Sequence, residues 1–128
     1  MLNILTVEDS LAIRKILQRM LRQTDIPVGE IYEAADGREA LTILAQKTVN
    51  LVFTDINMPN MDGMELLRCM ASSTEWRHIP VIMLTTEAGE SVVMRAVELG
   101  AVGYIRKPFN LDQVQSKLES AVGALRGI

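Results

Sequence analysis

A chain of 128 residues that is 48% hydrophobic and 23% charged is long enough to bury one core and too apolar to stay disordered. A formal net charge of -3 leaves no basic footprint for a nucleic-acid backbone and no polybasic patch for a lipid surface, so neither nucleic acid nor membrane is an expected partner. The single cysteine, Cys69, excludes an intrachain disulfide and a multi-cysteine metal site, and fits a reducing compartment.

The residues from Met1 to Val7 lack the basic segment and long apolar core of a secretory signal, and no apolar run approaches about 18 residues. A soluble, cytoplasmic protein with one domain over residues 1–128 is expected. The first apolar run, Ile4 to Val7, predicts a short strand that stops at Glu8 and Asp9. Leu11, Ile13, Ile16, Leu17, Met20 and Leu21 then recur along one helical stripe, with Arg14, Lys15, Gln18, Arg19 and Arg22 elsewhere. Ile31 to Ala35 predicts a second strand, and Asp36 with Glu39 opens a second helix. The third strand, Leu51 to Phe53, lies just before Asp55, and its helix should start near Asp62 and Gly63 and run through Met64, Leu67 and Met70.

Val81 to Leu84 predicts a fourth strand that stops at Thr85. The helix after it carries Val92, Val93, Ala96 and Leu99, with Gly100 placed as a left-handed stop. Tyr104 to Ile105 predicts the last strand, followed by Lys107. Asn110 and Gln113 form a capping pair for a final helix with Leu111, Val114, Leu118, Ala121, Val122 and Leu125 on its stripe. Among the eight methionines, Met20, Met64, Met70 and Met94 sit near apolar helical positions and are expected as core filler.

Short, continuous apolar runs alternating with amphipathic helices specify an α/β fold of (βα)₅ type, a parallel sheet covered on both faces. Parallel strands bring their carboxyl ends to one edge, where open α/β sheets bind ligands. Glu8, Asp9 and Asp55 would then crowd together, and unit charges about 4 Å apart repel by about 4 kcal/mol at an effective dielectric of about 20. A cation is required. Oxygen donors without a His or Cys cluster select a hard ion, and a few carboxylates open to water suit Mg²⁺ better than a calcium cage. Asp55 could then act as nucleophile toward phosphorus, with Lys107 offsetting charge on the transferred group and Thr85 donating to one of its oxygens. In a 2-1-3-4-5 sheet, Lys107 falls on the far side of Thr85 from Asp9.

Taken singly, each residue has an ordinary reading: a helix cap for the Asp residues, a β-branched strand residue for Thr85, a solvated surface charge for Lys107. Their joint fall at successive strand ends gives them weight. Together with Val7-Glu8-Asp9-Ser10, Thr54-Asp55-Ile56-Asn57-Met58-Pro59, Met61-Asp62-Gly63, Leu84-Thr85-Thr86-Glu87 and Gly103-Tyr104-Ile105-Arg106-Lys107-Pro108-Phe109, they make the chain resemble a bacterial response-regulator receiver domain over essentially its whole length. Stand-alone chemotaxis receivers are the nearest in pattern.

That resemblance implies a flavodoxin-like doubly wound sheet in the order 2-1-3-4-5. It implies Asp55 as phosphoacceptor, Mg²⁺ held by Asp9, Asp55 and the backbone carbonyl of Asn57, and Glu8 acting through metal-bound water. Lys107 and Thr85 would contact the phosphoryl group, Tyr104 would report the switch by changing between exposed and buried rotamers, and a cis bond would join Lys107 to Pro108. Asn57 and Glu87 would flank the attacking water and tune the lifetime of the acyl phosphate.

The implied partners are a histidine kinase, a phosphatase and a separate target such as the flagellar switch, bound through helix 4, strand 5 and helix 5. A role as phosphorelay intermediate is the runner-up. Gly100-Ala101-Val102-Gly103 lacks the paired acidic residues of regulators that dimerise on this face to bind DNA, which favours a monomer. The chain ends soon after its fifth helix, so output is expected to pass through another protein. Two other classes fit less well. A phosphohydrolase of haloacid-dehalogenase type would carry its nucleophile on the first strand as Asp-x-Asp. A flavin binder would not place Glu8 and Asp9 in its phosphate loop. The absence of G-x-x-x-x-G-K-[ST] removes a P-loop.

Overall fold

A computed structural model describes residues 1–86 and 90–126. Five strands alternate with five helices: β1 (Leu2–Val7), α1 (Leu11–Gln23), β2 (Val28–Ala34), α2 (Gly37–Gln46), β3 (Leu51–Asp55), α3 (Gly63–Ala71), β4 (Val81–Thr85), α4 (Glu90–Glu98), β5 (Gly103–Arg106) and α5 (Leu111–Arg126). The strands form one parallel sheet in the order β2-β1-β3-β4-β5. The expected (βα)₅ fold and strand order are both observed.

Alternation along the strands divides the core. Leu5, Val7, Val52 and Met83 face Ala40 and Leu44 of α2, Leu66, Leu67 and Met70 of α3, and Ala96 of α4. Their neighbours Ile4, Phe53, Ile82 and Leu84, with Ile105, face Leu17 and Leu21 of α1 and Val114, Leu118 and Ala121 of α5. Successive side chains on a strand point to opposite faces, so a continuous apolar run feeds both layers at once.

The caps are those the sequence specifies. Asp36 Oδ1 accepts the Glu39 N–H, and Asp62 Oδ1 accepts the Glu65 N–H. Asn110 and Gln113 exchange bonds, each side-chain oxygen accepting the other's N–H at 2.9 Å. Gly100 adopts φ 105° and closes α4 with bonds from its own N–H to Val97 and from Ala101 to Ala96, the paired pattern that a left-handed residue allows.

Three expectations need correction. β2 begins at Val28, not Ile31. Gly29 and Glu30 interrupt the apolar run, but an edge strand needs only one paired side, and Asn3 Oδ1 accepts the Glu30 N–H at 3.0 Å. Leu11 and Ile16, placed on the buried stripe of α1, are exposed, as is Met94 of α4. Leu11 and Ile16 sit at the two margins of their stripe, while Met94, two residues before the buried Ala96, lies on the opposite face of α4 from it.

Candidate functional site

The strand ends meet as their order requires. Glu8 and Asp9 follow β1, Asp55 closes β3, Thr85 closes β4, and Lys107 follows β5 by one residue. Carboxylate oxygens of Glu8, Asp9 and Asp55 lie within 4.8 Å of one another. Glu8, Asp55 and Thr85 are buried, while Asp9 is open to solvent. A buried acidic pair beside an exposed third is an arrangement a partly hydrated hard cation can enter from one side.

The structure corrects the simple placement of Lys107. Its backbone lies beyond Thr85, whose carbonyl accepts the Lys107 N–H at 2.8 Å. The side chain, however, crosses the sheet edge, and Nζ lies 3.0 Å from Asp55 Oδ2 and 2.5 Å from Glu8 Oε1. One ammonium therefore offsets two buried carboxylates. Burial by itself lowers the basicity of Lys107, but the hydrogen bonds it donates to Glu8 and Asp55 outweigh it and hold the pKa above the ordinary lysine value. Contact with the Glu8 carboxyl, then burial, pushes the Asp9 pKa up.

A consequence follows for the protein without Mg²⁺. Lys107→Met strands Glu8 and Asp55 without their counter-charge and should lower stability by about 2 kcal/mol, less than for a fully enclosed pair because the site opens at Asp9. Urea unfolding should then show a larger stabilisation by Mg²⁺ than in wild type. Equal Mg²⁺ effects in both proteins would count against the cluster as a cation site.

Backbone groups fix the acids. Asp55 Oδ1 accepts the Ile56 N–H at 2.8 Å, and Glu8 Oε2 accepts the Ser10 N–H at 3.1 Å. Ser10 also caps α1, its Oγ accepting the Ile13 N–H. Arg14, read from sequence only as part of a polar face, donates to the Glu8 carbonyl at 2.6 Å and to Glu33 Oε1 at 2.8 Å. The turn that carries Asp9 is thereby pinned to β2. Glu33 in a parallel register opposite Thr6 was the missing signal, and register is not written in a single strand.

The Arg14 hydrogen bond lowers the Glu33 pKa from 4.5 to about 2, aided by Lys15 and opposed by burial. A depressed carboxylate contributes stability above its unfolded pKa and loses it as pH falls through the folded one, here from 4.5 down to about 2. With Glu33 one-third exposed, screening reduces the contribution to about 1 kcal/mol. Glu33→Gln should be less stable than wild type at neutral pH, with the difference closing over that acid range in unfolding titrations.

Asn57 is exposed two residues beyond Asp55 and lines a cavity of about 360 Å³ with Thr85, Asp62 and Arg95. Glu87 lies outside the described residues. Tyr104 is half-exposed on β5, with Lys117 Nζ 5.8 Å from its ring centre. The Lys107–Pro108 bond is cis. Among the described residues, no helix is long and apolar enough to cross a membrane.

A five-stranded parallel sheet with an acid cluster and a lysine at its carboxyl edge is the frame of a receiver. The family profile of the response regulator receiver domain matches residues 4–119, and the chain belongs to that family. Within it, the chain is 37% identical over 118 residues to Chemotaxis protein CheY-3 of Vibrio cholerae, covering 92% of this chain and 89% of that one. The solved chemotaxis response regulator CheY4 of Vibrio cholerae superposes with a TM-score of 0.85 at 31% identity, over 94% of this chain and 98% of that one. The phosphorylated cyanobacterial phytochrome response regulator RcpA gives a TM-score of 0.80 at 30% identity, over 94% and 93%.

Proposed function

We propose that this protein is a phosphorylation-operated signalling switch in which Asp55 accepts a phosphoryl group from a histidine kinase. The observation that carries this reading is the contact of Lys107 Nζ with both Asp55 and Glu8 beside the three-carboxylate cluster. Asp9, Asp55 and the carbonyl of Asn57 would hold Mg²⁺, with Glu8 acting through metal-bound water. When bound, the ion neutralises the acids and the charge on the transferred group. The donor set fits, being all oxygen and open at Asp9.

In the transfer, an Asp55 carboxylate oxygen forms the new bond to phosphorus while the donor's bond to phosphorus breaks and its electron pair departs with the donor. Lys107, already 3.0 Å from Asp55 Oδ2, exchanges a carboxylate contact for a phosphoryl oxygen, and the Thr85 hydroxyl donates to another. These groups act by position and charge. The protein is a switch rather than a turnover enzyme: Asn57 and Glu87 set how soon water removes the group.

Thr85 and Tyr104 then shift the population of the α4, β5 and α5 surface, where Met94, Val97, Val102 and Tyr104 leave apolar area exposed. Two of the relatives, CheY-3 and CheY4 of Vibrio cholerae, are chemotaxis proteins, which makes the flagellar switch the favoured target of a cytoplasmic monomer. Incubation with acetyl phosphate and Mg²⁺ tests the chemistry. Intact mass should show one alkali-labile phosphoryl group, absent when EDTA replaces Mg²⁺. No gain, or an equal gain with EDTA, overturns the reading.

A further inference from the structure

The connection from β3 to α3, residues 56–62, carries Asn57. Gly63 closes its far end through an N–H donated to the Ile56 carbonyl at 2.8 Å. Its middle is tied to a different element. Asn60, in the left-handed region at φ 66°, donates from Nδ2 to Asp36 Oδ2 at 2.7 Å. One residue on, the Met61 carbonyl accepts the Gly37 N–H at 3.0 Å.

Asp36 is only 6% exposed, and its two oxygens have separate uses. Oδ1 caps α2 through the Glu39 N–H at 2.9 Å, which any short polar side chain could do. Oδ2 takes the loop's amide. The fit is close: a Cβ on Gly37 would stand 2.6 Å from Met61 Cγ. The Glu39 N–H and the Asn60 amide, against the cost of burial, hold the Asp36 pKa below the usual carboxylate range, so the clamp is charged at neutral pH.

We propose that Asp36 is a positioning residue for the phosphoacceptor site: by holding Asn60, it fixes the loop that carries Asn57 and thereby sets Mg²⁺ affinity from the N-cap of α2. The inference rests on the Mg²⁺ reading above. A loop ordered during folding need not be ordered when the cation binds, so its entropy cost is absent from the binding step.

Two substitutions in the full chain separate the clamp from its surroundings. Asp36→Ser keeps a capping oxygen but is too short to reach Asn60. Asn60→Gly keeps the left-handed backbone and removes the amide. Each should weaken Mg²⁺ binding in calorimetric titration about fivefold, the net effect of one hydrogen bond, and the double substitution should be no weaker than either alone. In metal-free protein, amide exchange should quicken across residues 57–62 and stay unchanged in β1 and α5.

Affinity within about twofold of wild type in both variants, additive losses in the double, or exchange that rises uniformly along the chain would overturn the role of Asp36. If wild type itself does not bind Mg²⁺, the magnesium reading fails and the affinity claim fails with it. Strong wild-type binding that both variants keep removes Asp36 alone. Should Asp36→Ser fail to fold, Asn60→Gly decides.

Discussion

Asp55→Asn should take up no phosphoryl group under conditions that load the wild type fully. An amide carries no negative charge to attack phosphorus. Glu8 is held as Asp55 is, by a backbone N–H on one oxygen and Lys107 on the other, but it is only 1% exposed against 7% for Asp55, and Asp9 is open to solvent. The substitution should leave the fold intact, because the amide oxygen can still accept the Ile56 N–H and one anion leaves a crowded site. Intact mass after acetyl phosphate and Mg²⁺, beside urea unfolding, checks both parts. A phosphoryl gain equal to wild type would remove Asp55 as acceptor while leaving the rest of the site standing.

Gly63→Ala should lose at least about 3 kcal/mol of stability, the upper end of what overpacking costs. A Cβ at this position would lie 2.0 Å from the Asp55 carbonyl oxygen and 2.9 Å from Ile56 Cα. Both obstacles are backbone, so neither can turn aside. The start of α3 would have to withdraw from the end of β3, breaking the Gly63 to Ile56 bond and loosening the loop that Asp36 clamps. Gly123→Ala is the comparison: its Cβ meets nothing within 4 Å, and in a helix interior alanine should stabilise by about 0.5–1 kcal/mol. Equal denaturation midpoints for the two variants would contradict the close approach at Gly63.

The glycine pair shows where single-sequence reasoning reaches. Gly63 beside Asp62 reads correctly as a helix start, but nothing in that dipeptide says that a strand end lies against it. Asp36 reads correctly as a cap through its distance from Glu39, whereas its second oxygen bonds Asn60, 24 residues away. The apolar stripe of α1 has the right period, yet Leu11 and Ile16 are exposed because the width of the buried face depends on where the sheet stops.

The sequence by itself determined the order of the elements, most of their caps, and the residue types that end each strand. Periodicity, capping and left-handed turns depend on neighbours within about one or two helical turns, so they survive in the linear text. Tertiary structure alone decided which side chains meet. Lys107 crosses the sheet edge to Glu8, 99 residues earlier, and Arg14 of α1 reaches Glu33 of β2, which the parallel register sets opposite Thr6. Those contacts depend on strand order, register and side-chain reach together, quantities that exist only once the sheet has formed.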